Sequence, residues 1–379
     1  MLPALILASF LLQASTPKPS PLNAKVVDAI DRNYLYAETD AWKRLRSRLL
    51  DEPDADIFSI DRQLASLHDG DLRIITPQQM LVMQAETAGE ERGVGLVDFA
   101  LTVEPITDEP KVVTPLVDSP AFKAGLRPED VILAVNGRPT RGLIHEDVMA
   151  LLRGDAGTLK LKIRRGEKQL LIDIPKSMWQ EQPVVSHRFD AGKKHFGYVG
   201  IRLFTPDTGQ QTRQAVATLV SQGVEGCIVD LRNNPGGYLD AMSVAGSAFT
   251  EQTLGWKVRR DGKKEAIHAE TKPLKTMRLV VLINEGTASA AEVLASGLRD
   301  SAAARLVGSR TYGRGQIQTY VALDPSAGIV IPAAGAESVR GIRFNKGAGI
   351  SPEILVRSVG GAHAEDAIYR RAIALLVHG

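Results

Sequence analysis

The chain has 379 residues, 44% hydrophobic and 24% charged, enough for two or three domains with a real core. Its 46 basic and 44 acidic residues are interspersed and leave a net charge of only +2, so no long-range field for capturing nucleic acid is expected. The only cysteine, Cys227, excludes an intramolecular disulfide, and its place in the apolar run GCIVDL marks it as a buried hydrophobe rather than a reactive thiol.

Residues Met1 to Leu12, MLPALILASFLL, form an apolar run too short to span a bilayer, followed by QAST and the proline-rich TPKPSP. The pattern predicts a secretory signal over residues 1–14, ending at Ala14, and no stable membrane span. Leu12 is bulkier than a cleavage site prefers and no Lys or Arg precedes the run, so an uncleaved anchor or a misassigned start codon accounts for the same residues. Export without disulfides fits a periplasm or an equivalent extracytoplasmic compartment.

Residues 15–88 read as a small helical region, in which Val26, Val27, Ile30, then Trp42, Leu45, Leu49 and Leu50 recur at three- and four-residue spacing between charges. Asp69, Gly70 and Pro77 break the pattern in LHDGDLRIITPQQM, and the polar AETAGEER from Ala85 to Arg92 predicts a boundary near residue 90. Residues 89–176 then alternate short β-type runs with turn signals and hold one amphipathic helix candidate, His145 to Leu152.

Within that β-rich module, SPAFKAGLRPEDVILAVNG resembles the signature of PDZ domains, and RGVGL sits where such domains place their carboxylate-binding loop. The resemblance implies that an extended C-terminus adds as a strand to an open sheet edge while backbone N–H groups of Gly93, Val94, Gly95 and Leu96 hold its carboxylate. Glu129 stands where the AGLRPGD form of the motif has glycine, which alters a turn away from the binding edge.

Residues 177–379 carry strand runs such as FGYVGIRLF, GCIVDLRNNPGG and RLVVLINEG, separated by helical patterns at Asp207 to Gln222 and Ala288 to Arg299. Alternation of this kind predicts an α/β core. In INEGTASAAEVLASGLRD a strand ends at Asn284 and a helix starts near Ser289, placing that hydroxyl at a helix N-terminus where free N–H groups favour an anion. Taken alone, Ser289 to Glu292 is S-x-x-E, a capping box, and such a serine is more often structural than catalytic.

Context reverses that weighting. DLRNNPGG at Asp230 to Gly237, GTASAAE with Ser289, GSRTYGRGQIQ and GISPEI at Gly349 to Ile354 resemble, in order and spacing, the motifs of the C-terminal processing peptidases, or tail-specific proteases. LHDGDLRIITPQQM is similar to the segment that family carries before its PDZ domain. The resemblance implies a multidomain α/β fold: an N-terminal helical region, a β-rich PDZ-like domain and a protease core of the ClpP/crotonase-like type. It puts Ser289 on the nucleophile, Gly236 or Gly237 with the N–H of Ala290 on the oxyanion hole, and Gln318 on the residue that orients the base.

The base itself, lysine in the family, falls on Arg314. A general base must be neutral to take the serine proton. Lysine needs about 4 to 5 kcal/mol to be neutral at pH 7, which burial and neighbours can supply, whereas arginine needs about 7 to 9 kcal/mol and stays charged in proteins. By analogy with serine triads, losing one member removes on the order of 10⁴-fold in rate. None of His68, His145, His187, His195 or His268 lies in a motif that places it beside Ser289, and Glu292 reads as a helix cap.

No HExxH and no clustered His, Asp or Cys spacing supports a metal site, and NNPGG lacks the Lys-Ser/Thr of a P-loop, so no cofactor is expected. Two functions follow. The first is a serine endopeptidase that binds unstructured C-terminal segments of proteins through its PDZ-like module and cleaves, with impaired chemistry, through Ser289. The second is a pseudoprotease that binds such peptides or regulates without cutting. Whether Arg314 replaces an original lysine, which substrate is bound, and whether the chain forms a homo-oligomer are left open by the sequence.

Overall fold

The computed structural model describes residues 21–67, 69, 71–76, 79, 92–96, 101–103, 109–143, 145–153, 157–175, 177–178, 182–324, 327–344, 348–356 and 367–378. The expected signal segment and most of the AETAGEER linker lie outside the described residues.

Helices α1 (Leu22–Asn33), α2 (Asp40–Asp51) and α3 (Ile57–Ala65) follow the apolar spacing read from the sequence. The Thr39 hydroxyl caps α2 by accepting from Trp42 N–H, and Asp56 caps α3 by accepting from Ser59 N–H at 2.7 Å. The helices do not close a core of their own: Ile30, Trp42, Leu45 and Leu64 pack against Ala327, Ile329 and Ile331 of a strand from the far end of the chain. β1 (Arg73–Ile75) pairs with that strand, Arg73 opposite Val330.

The second unit holds β2 (Arg92–Gly93), β3 (Leu101–Val103), β4 (Pro110–Val112), the short α4 (Pro120–Lys123), β5 (Val131–Val135) and β6 (Arg138–Pro139). It continues with α5 (His145–Arg153), β7 (Thr158–Arg165), β8 (Lys168–Pro175) and β9 (Ser177–Met178). The main sheet runs β3-β4-β5-β7-β8, with β6 on β5. Along β7, Leu159, Leu161 and Ile163 face the core that Val148 and Met149 of α5 close, while Lys160 faces solvent, the alternation of a one-sided sheet. Glu129 sits at φ 69° in the turn of its motif and takes on the left-handed conformation itself, while its carboxylate pairs with Lys111.

The third unit contains β10 (Val184–Ala191), β11 (Lys194–Ile201), α6 (Thr208–Ser221), β12 (Gly226–Asp230), α7 (Leu239–Gly246), β13 (Thr253–Val258), β14 (Lys264–His268), β15 (Arg278–Ile283) and α8 (Ala290–Ser301). After it come β16 (Arg305–Gly308), β17 (Gln316–Asp324), β18 (Ala327–Glu337), β19 (Ile354–Leu355) and α9 (Ala367–His378). Its sheet runs β10-β11-β12-β15-β16-β19, parallel from β11 onward. Both faces are covered. Cys227, Val229, Val281 and Leu306 pack under α6, α7 and α8, and their alternates Ile228, Val280, Leu282 and Val307 pack under α9. Burial raises the Cys227 thiol to about 12, as befits a structural cysteine.

A second, antiparallel sheet ties the units together. One edge of β18 carries β17, and its other edge is shared by β1 and β13. The segments entering β1 and β17 therefore approach each other around one strand.

Candidate active site

The carboxyl ends of parallel strands β12, β15 and β16 release three loops on one side of the sheet, the place where α/β folds put their ligands. Side chains of asparagine and threonine bind these loops together. Asn284 Oδ1 accepts from Asn233 N–H at 2.9 Å, its amide donates to Asn233 Oδ1 at 3.0 Å, and Thr287 donates to Leu231 O at 2.8 Å. Ala288 N–H donates to Asn234 O and Tyr312 N–H to Thr287 O, both at 2.9 Å.

Ser289 sits on the turn between β15 and α8 with φ 54° and ψ −123°, a conformation that costs a non-glycine residue on the order of 1–3 kcal/mol. Gly236 packs directly against it: a Cβ on Gly236 would lie 2.7 Å from Ser289 Cβ. The two glycines differ in what they offer. Gly236 N–H already donates to Asn234 Oδ1 at 2.8 Å. Gly237 bridges Phe204, but the bonds of that bridge use Gly236 O and Tyr238 N–H, so the Gly237 N–H points away and has no partner among the described residues. The same holds for the N–H of Ala290, in the first turn of α8.

Glu292 is wholly buried and joins the serine turn to the loop after β16. One carboxylate oxygen accepts from Ser289 N–H at 3.0 Å and Arg314 N–H at 2.8 Å; the other accepts from Thr311 Oγ1 at 2.5 Å and Gly313 N–H at 2.9 Å. The capping role read from S-x-x-E is present, and three further bonds extend it. Burial raises this carboxyl above the ordinary range, against the lowering pull of the four donors. The GISPEI segment braces the same loop: Thr311 N–H donates to Ile350 O at 3.0 Å and Thr311 Oγ1 accepts from Ile350 N–H at 2.7 Å.

The Arg314 side chain is tied to the N-terminal unit. Its guanidinium pairs with Asp71, on the segment leading into β1, and both side chains are nearly buried at 12% and 13% exposure. Among the described residues no hydrogen bond joins it to Ser289 or Gln318, and Gln318 lies half-buried in β17 opposite Pro332. Asp69 adds a second carboxylate. It accepts from Tyr34 Oη at 3.0 Å, and burial first, then the charge of Asp71, pushes its carboxyl up to about 6. Asp71 was the residue that sequence reading passed over, because 243 positions separate it from Arg314 and only the two flanks of β18 bring them together.

Beneath the site, Asp230 at the end of β12 accepts from both Arg232 and Tyr198. Burial alone would raise this carboxyl; the Arg232 charge and hydrogen bonds outweigh it and hold the group below the usual range. No histidine among the described residues hydrogen-bonds Ser289: His195 meets Asp190, His268 meets Thr253 and His187 stacks on Tyr198.

The second unit reaches this site. Val113, just past β4, packs with Ala288 and Tyr312, and Asp118 pairs with Arg202 at 2.8 Å. In the expected carboxylate loop, Val94 and Leu96 are buried in the module's core and Gly93 pairs with Ser177. Val94 O and Gly95 O accept from Ala121 and Leu116, while the N–H groups of Gly95 and Leu96 have no partner among the described residues.

Comparison with known proteins settles the family. The chain is 33% identical over 352 residues to the carboxyl-terminal-processing protease of Synechocystis, covering 89% of this chain and 82% of that protein. The model of peptidase family S41 matches residues 195–356 and a PDZ-domain model matches 111–165. The chain belongs to peptidase family S41. A second relative, the chloroplastic C-terminal processing peptidase of Tetradesmus obliquus, is 32% identical over 86% of this chain and 75% of its own length. The solved structure of a photosystem II D1 C-terminal processing protease superposes with a TM-score of 0.79 at 29% identity, covering 90% of this chain and 94% of that one. The α/β peptidase core and the PDZ domain are thus those of an S41 peptidase. Among the described residues no helix is long and apolar enough to cross a membrane.

Proposed function

We propose that this S41 protein is exported, takes unstructured C-terminal segments of proteins on its PDZ domain and presents them to Ser289, with hydrolysis strongly impaired by Arg314. The Gly95 and Leu96 amides receive the terminal carboxylate, and the strand edge beside them receives the peptide. Ser289 Oγ is the nucleophile, and the amides of Gly237 and Ala290, assisted by the close approach of Gly236, receive the oxyanion.

Cleavage requires Ser289 Oγ to bond the carbonyl carbon while its proton moves to a base and then to the leaving nitrogen; water afterwards releases the acyl group. One observation carries the reading that this step is crippled. The group at the base position is a guanidinium held in a nearly buried ion pair with Asp71, and a guanidinium stays charged in proteins. That same pair favours the second reading, a pseudoprotease that binds C-termini without cutting them.

The test is to incubate a disordered protein ending in apolar residues with the chain and with Ser289→Ala, and to measure binding of its C-terminal peptide as free acid and as amide. Expected are carboxylate-dependent binding and little or no Ser289-dependent cleavage. Ser289-dependent turnover at rates ordinary for proteases would overturn the impaired-base reading, and equal binding of acid and amide would overturn the PDZ assignment.

A further inference from the structure

The charged and titratable groups around residue 314 include Asp71 and Asp69 on the segment before β1, Tyr34 at the end of α1, which donates to Asp69, and Glu292 on α8, which accepts from the residue-314 amide. Asp71 contacts the guanidinium directly and Asp69 feels its charge. Their placement is fixed by the fold, because β1 and β17 flank the same strand and each carries its polar residue two positions ahead of its first paired one. Any cation at 314 is thus met by carboxylates from the N-terminal unit.

We propose that Asp71 sets the protonation state at the base position, so that this chain carries a matched aspartate–arginine pair and lysine at 314 alone does not create a neutral base. The inference rests on the reading of Ser289 as nucleophile and residue 314 as base. An opposite charge within hydrogen-bond distance favours the charged form of an amine, moving its titration upward by about 1–3 units. The ammonium of Arg314→Lys therefore stays protonated at neutral pH. Removing the Asp71 charge as well lowers its titration by that amount, which raises the neutral fraction about 10- to 10³-fold. Asp71 acts here through residue 314 and is a positioning residue, not one that touches substrate.

Two readouts separate this inference from the reading beneath it. The first is the titration of the introduced lysine amine in Arg314→Lys and in Arg314→Lys/Asp71→Asn, followed by NMR of the ¹³C-dimethylated side chain in the full-length proteins. The second is the pH profile of disordered-substrate cleavage by the same two variants, with Ser289→Ala as the blank. Expected is a downward shift of the lysine titration by one unit or more in the double variant, and Ser289-dependent cleavage that appears or rises at least tenfold there.

Identical lysine titrations in the two variants would overturn the role of Asp71. So would full cleavage by Arg314→Lys alone with its profile unmoved by Asp71→Asn. A shifted titration without cleavage supports the role of Asp71 and instead refutes Ser289 as a competent nucleophile. Should Asp71→Asn fail to fold, Asp71→Ser removes the same charge and carries the comparison.

Discussion

Glu292→Gln is expected to cost about 2–4 kcal/mol of folding stability, because one carboxylate receives four donors at full burial. The amide can place its oxygen where it keeps the Ser289 and Arg314 N–H groups. Its NH2 then faces Thr311, whose hydroxyl can rotate to accept, and Gly313, whose buried N–H is left without an acceptor. An orphaned buried donor costs about 1–3 kcal/mol, and loss of the charge weakens the two retained bonds by about 1 kcal/mol each. Relief of the buried charge offsets part of this sum. The opposite amide orientation is worse, since it orphans two backbone N–H groups.

Urea unfolding of the parent and Glu292→Gln, followed by far-ultraviolet circular dichroism at one pH, reads the difference directly, provided the slope m is unchanged. A difference below about 0.5 kcal/mol, within the range of ordinary surface substitutions, would refute the claim that this carboxylate holds the serine turn and the Arg314 loop together.

Two further outcomes follow from geometry and charge. Gly95→Ala places a Cβ 2.0 Å from Ser119 Cβ at φ +80°, so it is expected to abolish binding of a free C-terminal peptide and to lower the melting temperature; parent-like binding by fluorescence anisotropy would count against the carboxylate loop. Asp69 titrates near 6 in the folded chain against an ordinary 3.8, so its contribution to stability is fully present below about pH 4 and is lost as the pH rises through 6, a loss of about 3 kcal/mol. Asp69→Asn is expected to remove that slope, and unfolding curves at pH 4 and 7.5 that change equally in parent and variant would refute it.

Much of this protein was legible in the chain itself. Helices α5, α6 and α8 appear within two residues of their predicted limits, because apolar spacing and turn residues are local signals. The run GCIVDL read as an apolar strand, and β12 is one; the structure adds that it is buried on both faces, since a sheet covered by helices on both sides needs no polar alternation. The motifs around Ser289 and NNPGG likewise announced a strand-to-helix turn and a glycine cradle.

Tertiary structure decided the rest. The N-terminal helices looked like a region of their own, but their apolar faces are completed by β18, a partner that no local pattern names. Of the two glycines after Pro235, only the direction of the Phe204 bridge selects Gly237 as the one whose amide has no partner among the described residues. Sequence placed Arg314 at the base position and Glu292 at a helix cap. It took the pairing of β1 and β17 on opposite edges of β18 to bring Asp71 to the guanidinium, and the return of the β16 loop to add three donors to the Ser289 N–H already on Glu292. Both depend on contacts between residues far apart in the chain, whose partners periodicity and motif spacing do not encode.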